Sequence, residues 1–143
     1  GTGNIGIGKS AGDALTTGVN CIAIGLDSLG ASTISTDCIA IGKDALKVCT
    51  TGVSNVAVGT GALDAVTTGI DNVGIGTNAG GGITIGTDNV CIGDQAGVAL
   101  TTGINNVAIG GDARDAATIS TGMVAIGKNA LGAATISTDC ICI

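Results

Sequence analysis

No Phe, Tyr, Trp, His, Pro or Glu occurs in this chain of 143 residues. Each absence removes a class of protein. Without aromatic rings, which bury the largest areas, the core must be filled by Ile, Val, Leu, Ala and one Met. Without His and Glu, most general acid–base designs and most zinc sites are out of reach, so no enzyme activity, catalytic residue, metal or cofactor is expected. Cations are scarce: five Lys and Arg stand against 11 Asp, for a net charge of −6. With no ring to stack on bases and little charge for phosphates, no nucleic-acid partner is expected. Long apolar runs are missing as well. Gly, Thr, Asn or Asp interrupts every apolar pair, so the mean hydropathy of +0.61 comes without the roughly 20 apolar residues of a spanning helix. No membrane insertion is expected in this segment.

Glycine is abundant, with 27 residues, and 45% of the chain is apolar. The absence of Pro and of any triplet period excludes collagen, and the low charge with high apolar content argues against disorder. The order lies in a repeat. A glycine ends each Ile-Ala-Ile-Gly-like tetrad at Gly8, Gly25, Gly42, Gly59, Gly76, Gly93, Gly110 and Gly127, always 17 residues apart. With this glycine as column 17, full copies run 9–25, 26–42, 43–59, 60–76, 77–93, 94–110 and 111–127. A last copy from 128 stops at column 16. Residues 1–143 read as one repeat array of about 8.4 coils, a slice of a longer fibre.

Columns 14 and 16 are always Ile or Val, and column 15 between them is always Ala, Gly or Cys. This period-2 alternation of β-branched residues is a strand signal. The expectation is an all-β parallel solenoid with columns 14 and 16 inward. The column-16 ladder Ile24, Ile41, Val58, Ile75, Ile92, Ile109 and Ile126 would then form the structural core. The turn glycines Gly25, Gly42, Gly59, Gly76, Gly93, Gly110 and Gly127 would supply the bend after each strand. Column 8 is Thr in every copy, from Thr16 to Thr135. Columns 9 and 11 trade places: Thr17 pairs with Val19, but Ile34 with Thr36, and so on to Ile136 with Thr138. Each copy thus places one aliphatic and one Thr two positions apart, which reads as a second strand over columns 7, 9 and 11 facing the first across a thin core.

The pattern Asn55-Val56-Ala57-Val58-Gly59 and Asn106-Val107-Ala108-Ile109-Gly110, followed by Ala at columns 3 and 6 and a Thr-Gly turn, resembles the head repeats of trimeric autotransporter adhesins. Similar arrays occur in phage and viral tail-fibre proteins. The resemblance covers the whole chain. It implies a left-handed parallel β-roll, a homotrimeric rod, and a role in adhesion or display against a host-surface or matrix ligand. Two features depart from it. The adhesin repeats are usually shorter, and they generally avoid cysteine, of which this chain has six. Within a trimer, the small and uncharged column 15 is the expected oligomer interface: Ala23, Ala40, Ala57, Gly74, Cys91, Ala108 and Ala125.

Several motifs imitate chemistry. Gly3 to Ser10 satisfies the phosphate-loop pattern G-x-x-x-x-G-K-S, but that loop must lead from a strand into a helix, and the same glycine columns recur throughout the array. Aspartates at column 12 (Asp37, Asp71, Asp88, Asp139) suit turns better than a calcium ladder. Asn55, Asn72, Asn89 and Asn106 at column 13 suggest an amide ladder. Cys21 and Cys38 are the one pair that shares a column in adjacent coils, with a Cα separation inside the disulfide range, though unpaired apolar cysteine is the better reading. Cysteines without a framework suggest assembly in a reducing compartment, which favours a virus-encoded fibre over an exported adhesin.

The function expected is therefore the structural rod of a trimeric fibre or adhesin, an extracellular or virion-surface appendage. Two alternatives stand beside it: an ice-binding solenoid using the Thr ladder, and a self-assembling surface layer or filament. A polysaccharide lyase lacks its clustered acids and stacking aromatics.

Overall fold

The computed structural model describes residues 1–114, 118–131 and 139–143. Expectations at Thr135, Ile136 and Thr138 lie outside the described residues. Nine short strands follow one another: β1 Ile5–Ile7, β2 Ile22–Ile24, β3 Ile39–Ile41, β4 Val56–Val58, β5 Val73–Ile75, β6 Val90–Ile92, β7 Val107–Ile109, β8 Val124–Ile126 and β9 Ile141–Cys142. All pair in parallel and in sequence order, forming one nine-stranded sheet and a β-solenoid of about eight coils. The register never slips: Ile24 sits on Ile41, Ile41 on Val58, and Val58 on Ile75. No helix occurs among the described residues. Successive coils are tied by backbone bonds such as Ile22 N–H to Cys38 O at 2.9 Å and Gly25 N–H to Ile7 O at 2.8 Å.

The side of the strand that faces in is the reverse of the expectation. Ala23, Ala40, Ala57, Cys91 and Ala108 at column 15 are completely buried within the single chain, and Gly74 and Ala125 are buried with them. Ile24, Val58, Ile92 and Ile109 are only half-buried, and Ile41, Ile75 and Ile126 remain 37–39% exposed. Column 16 is therefore an outer ladder rather than the structural core, and column 15 is interior rather than an oligomer interface. The physical reason is thickness. A methyl added at Gly74 would lie 2.7 Å from Leu63 Cγ and 2.8 Å from the Ala79 carbonyl, so this wall has no room for a branched side chain.

The interior is filled from the opposite side, by columns 4 and 7. Leu29, Leu46 and Leu63 at column 4, and Val66, Ile83 and Leu100 at column 7, are fully buried. These two columns trade volume: Leu29 faces Ser32 and Leu46 faces Cys49, whereas Gly80 goes with Ile83 and Gly97 with Leu100. Where Leu63 and Val66 are both large, the next strand supplies Gly74. Where Gly80 and Gly97 leave space, Cys91 fills it, its sulfur 2.4 Å from a methyl placed on Gly97. The close packing of protein interiors is thus met coil by coil by compensation.

The expected second strand is also different. Columns 9 to 11 form single parallel bridges at column 11, from Thr2–Val19 through Ile104–Thr121, rather than a continuous strand. Column 7 points inward, but columns 9 and 11 point outward, so these three columns do not share a face.

Every coil makes four tight bends. At column 17 the glycines have φ of 123–137°, and a methyl at Gly59 would meet the Gly76 carbonyl at 2.4 Å. Columns 2 and 12 hold left-handed Asp, Asn or Ser in most coils, including Asp27 (φ 55°) and Asp37 (φ 54°), residues that tolerate this region. Column 4 is left-handed even when it is Leu29 (φ 49°) or Leu63 (φ 50°). That conformation costs a non-glycine residue about 1–2 kcal/mol, offset here by burying the whole leucine side chain.

Candidate functional surfaces

Because the interior is closed and its packing is complete, any function rests on the outside of the tube. Charge is confined to columns 1, 2, 5 and 12, with Arg114 at column 4 the exception. Two faces are left without charge. The first, here the aliphatic face, is the outer side of β1–β9: columns 14 and 16, Ile or Val in every coil without interruption. The second, the mixed face, holds columns 9 and 11, one Thr and one Ile or Val per coil. Ile34, Ile70, Ile85 and Ile104 on it are 41–56% exposed.

The expected amide ladder is present and buried. Asn72, Asn89 and Asn106 each donate from Nδ2 to the Oδ1 of the Asn one coil earlier, at 3.1, 2.9 and 2.8 Å. Each also donates to the column-10 carbonyl of the following coil, as Asn72 does to Gly86 O at 2.7 Å. Each Oδ1 accepts the next coil's column-13 N–H, ending on Met123 N–H at 3.1 Å from Asn106 Oδ1. Every polar atom of these buried amides is engaged, as burial demands.

Cysteine replaces Asn at this column in three coils, as Cys21, Cys38 and Cys140, and the first two copy half of its bonding. Cys21 Sγ donates to Ser35 O at 3.3 Å, and Cys38 Sγ to Gly52 O at 3.4 Å. Cys21, Cys38, Cys49 and Cys91 are free thiols inside the tube. A hydrogen bond to Cys49 and burial push the Cys38 thiol up, and burial pushes Cys91 up to about 12. Cys38 and Cys91 stay protonated and act as small packing groups, whereas the hydrogen bond with Cys38 draws the Cys49 thiol down.

The column-8 hydroxyls are also spent on structure. From Thr16 to Thr101 each donates to the carbonyl of the Thr one coil later, at 3.0–3.3 Å. The Thr ladder that the ice-binding alternative draws on at this column therefore has its hydroxyls directed at the next coil. Residues 3–10 form β1 and a turn with no helix after it, so the phosphate-loop pattern lacks the N–H cradle that would hold phosphate. No group of three His, Cys, Asp or Glu is placed to hold a metal among the described residues. A shallow cleft of about 380 Å³ crosses the corner lined by Asp13, Asp27, Lys47 and Val48. Lys47 is already paired there with Asp44 at 2.9 Å, which holds the Asp44 carboxyl below the usual carboxylate range.

Sequence reasoning missed Arg114, which is fully buried, bonds Ser120 Oγ through Nη2, and has Nε and Nη1 unpartnered among the described residues. Its column otherwise holds only Leu or Gly, a departure visible once the columns are aligned. Comparison with protein-family models, curated proteins and solved structures yields no match.

Proposed function

We propose that this chain is a structural rod segment of a homotrimeric fibre, an extracellular or virion-surface appendage that displays or carries a surface-binding tip. The single observation that supports it is the aliphatic face: two unbroken ladders of Ile and Val along all nine strands, with Ile41, Ile75 and Ile126 still 37–39% exposed in the isolated chain. A contiguous apolar strip of this length is a liability for a lone soluble chain and the expected signature of a protein interface. The residues that meet neighbouring copies are thus columns 14 and 16, in place of column 15. The adhesin-like pattern supports three copies side by side, and the buried amide and thiol ladders supply stiffness and register. The host-surface or matrix ligand belongs to the fibre as a whole.

Sedimentation tests this reading. The wild-type chain is expected to be trimeric at micromolar concentration. Ile41→Lys with Ile75→Lys is expected to give folded monomers, because each change brings three lysines together in a desolvated strip. A wild-type monomer, or a trimer indifferent to both lysines, would overturn it.

A further inference from the structure

The mixed face has a different design, and the rod does not account for it. Each coil contributes two β-branched residues there, and Thr, Val and Ile all present a γ-methyl. The backbone sets the spacing of this array along the stack, about 4.8 Å between coils, where column 11 pairs with column 11 of the next coil. β-branched side chains are stiff at χ1, so the array is preordered. Half of its positions add a hydroxyl. Unlike the column-8 hydroxyls, those of Thr36, Thr51, Thr68, Thr87 and Thr102 have no protein partner among the described residues, and they stand free to bond something outside.

The same features restrict the occupant. No charge lies in columns 9 or 11, so an ionic ligand finds nothing to pair with. The chain has no aromatic ring to stack on a sugar. A protein partner favours a contiguous apolar patch, but each aliphatic here has a Thr beside it on its own coil. What remains is a partner that is neutral, periodic at nearly the coil spacing, and able both to bond free hydroxyls and to pack around methyls. We propose that the mixed face binds ice: ordered water over the methyl array, anchored by the column-9 and column-11 hydroxyls, with a repeat close to the in-plane repeat of hexagonal ice. This does not rest on the rod reading, since it uses the other face.

The probe is ice itself. The chain is expected to produce a thermal hysteresis gap, to facet growing crystals, and, when fluorescently labelled, to coat a growing ice hemisphere. Thr51→Lys and Thr68→Lys, each on an exposed position and each checked for an unchanged circular dichroism spectrum, are expected to abolish the gap. Ile41→Lys with Ile75→Lys on the aliphatic face is expected to keep it, whatever happens to the oligomer. Exclusion of the labelled wild type from ice, absence of hysteresis, or a full gap in both threonine variants would overturn the assignment. So would retention on insoluble cellulose or chitin without any effect on ice, which would make the occupant crystalline carbohydrate.

Discussion

The aliphatic face and the mixed face are built on the same coils and rise together, yet they are composed by opposite rules. Along β1–β9 no Thr ever interrupts Ile and Val. Across columns 9 and 11 no coil ever carries two aliphatics. In the first five coils Thr and aliphatic also alternate along column 9, except between Thr51 and Thr68. Strand propensity alone would not produce this difference, since Thr, Val and Ile all favour extended backbone. What separates the faces is the medium each must meet. The unbroken strip gains from leaving water, whereas the chequered one holds a free hydroxyl within reach of every exposed methyl.

The comparison stands on which side of the strand faces out, and one pair of neighbours can break it. Ala57→Lys is expected to cost several kcal/mol and to unfold the surrounding coils even in a dissociated chain, because an unpaired charge would enter the closed interior. Val58→Lys, one residue on, is expected to leave the monomer melting near the wild type. Equal melting temperatures for the two variants would mean that the faces have been assigned the wrong way round. Next in size is Asn72→Ala, which strands the Gly86 carbonyl and the Asn89 N–H inside the tube. At about 1–3 kcal/mol for each orphaned group, urea denaturation should detect it easily.

Neither face holds a titratable side chain, so alkaline sensitivity must come from elsewhere. Cys91 has its thiol raised from 9.0 to about 12 by burial. Above pH 9 the unfolded chain loses a proton that the folded chain retains, so its contribution to stability falls as pH rises toward 12, by about 1.4 kcal/mol per unit at most. Cys91→Ala should flatten that limb of a pH–stability profile. The smallest effects belong to Ile75→Thr and Ile85→Thr, one on each face. Both should shift the stability of a dissociated chain by no more than about 0.5 kcal/mol. Only Ile75→Thr should weaken association, read by sedimentation at decreasing concentration.

Period, register and the amide ladder were legible from spacing alone, because any departure from 17 would unstack every column at once. The inward side of the strand was not. An Ile-Ala-Ile alternation defines two faces without saying which is buried, and the rule that large residues go inside fails in a tube too thin to hold them. A signal was available in the trade between columns 4 and 7. Gly80 with Ile83 and Gly97 with Leu100, against Leu29 with Ser32, mark two columns sharing one fixed volume. A conserved total of this kind is what an interior requires. Columns 9 and 11 trade as well, but between nearly isosteric side chains, so that exchange concerns chemistry rather than space and was mistaken for packing. The expected core at column 16 is accordingly the outer ladder, and the expected interface at column 15 is the inner one.

The constant 17-residue step also has a mechanical consequence. Each coil touches only its neighbours, so a pull on the two termini loads the rungs of one terminal coil at a time rather than all in parallel. The chain should come apart as a staircase at low force. Each step would release 17 residues, about 56–61 Å of contour, minus the roughly 4.8 Å that the coil occupied in the stack. A lone solenoid is therefore stiff against bending and weak against tension. Copies pressed together along the Ile and Val strip would change that, since no end coil could then peel away without dragging its side contacts out of a neighbour.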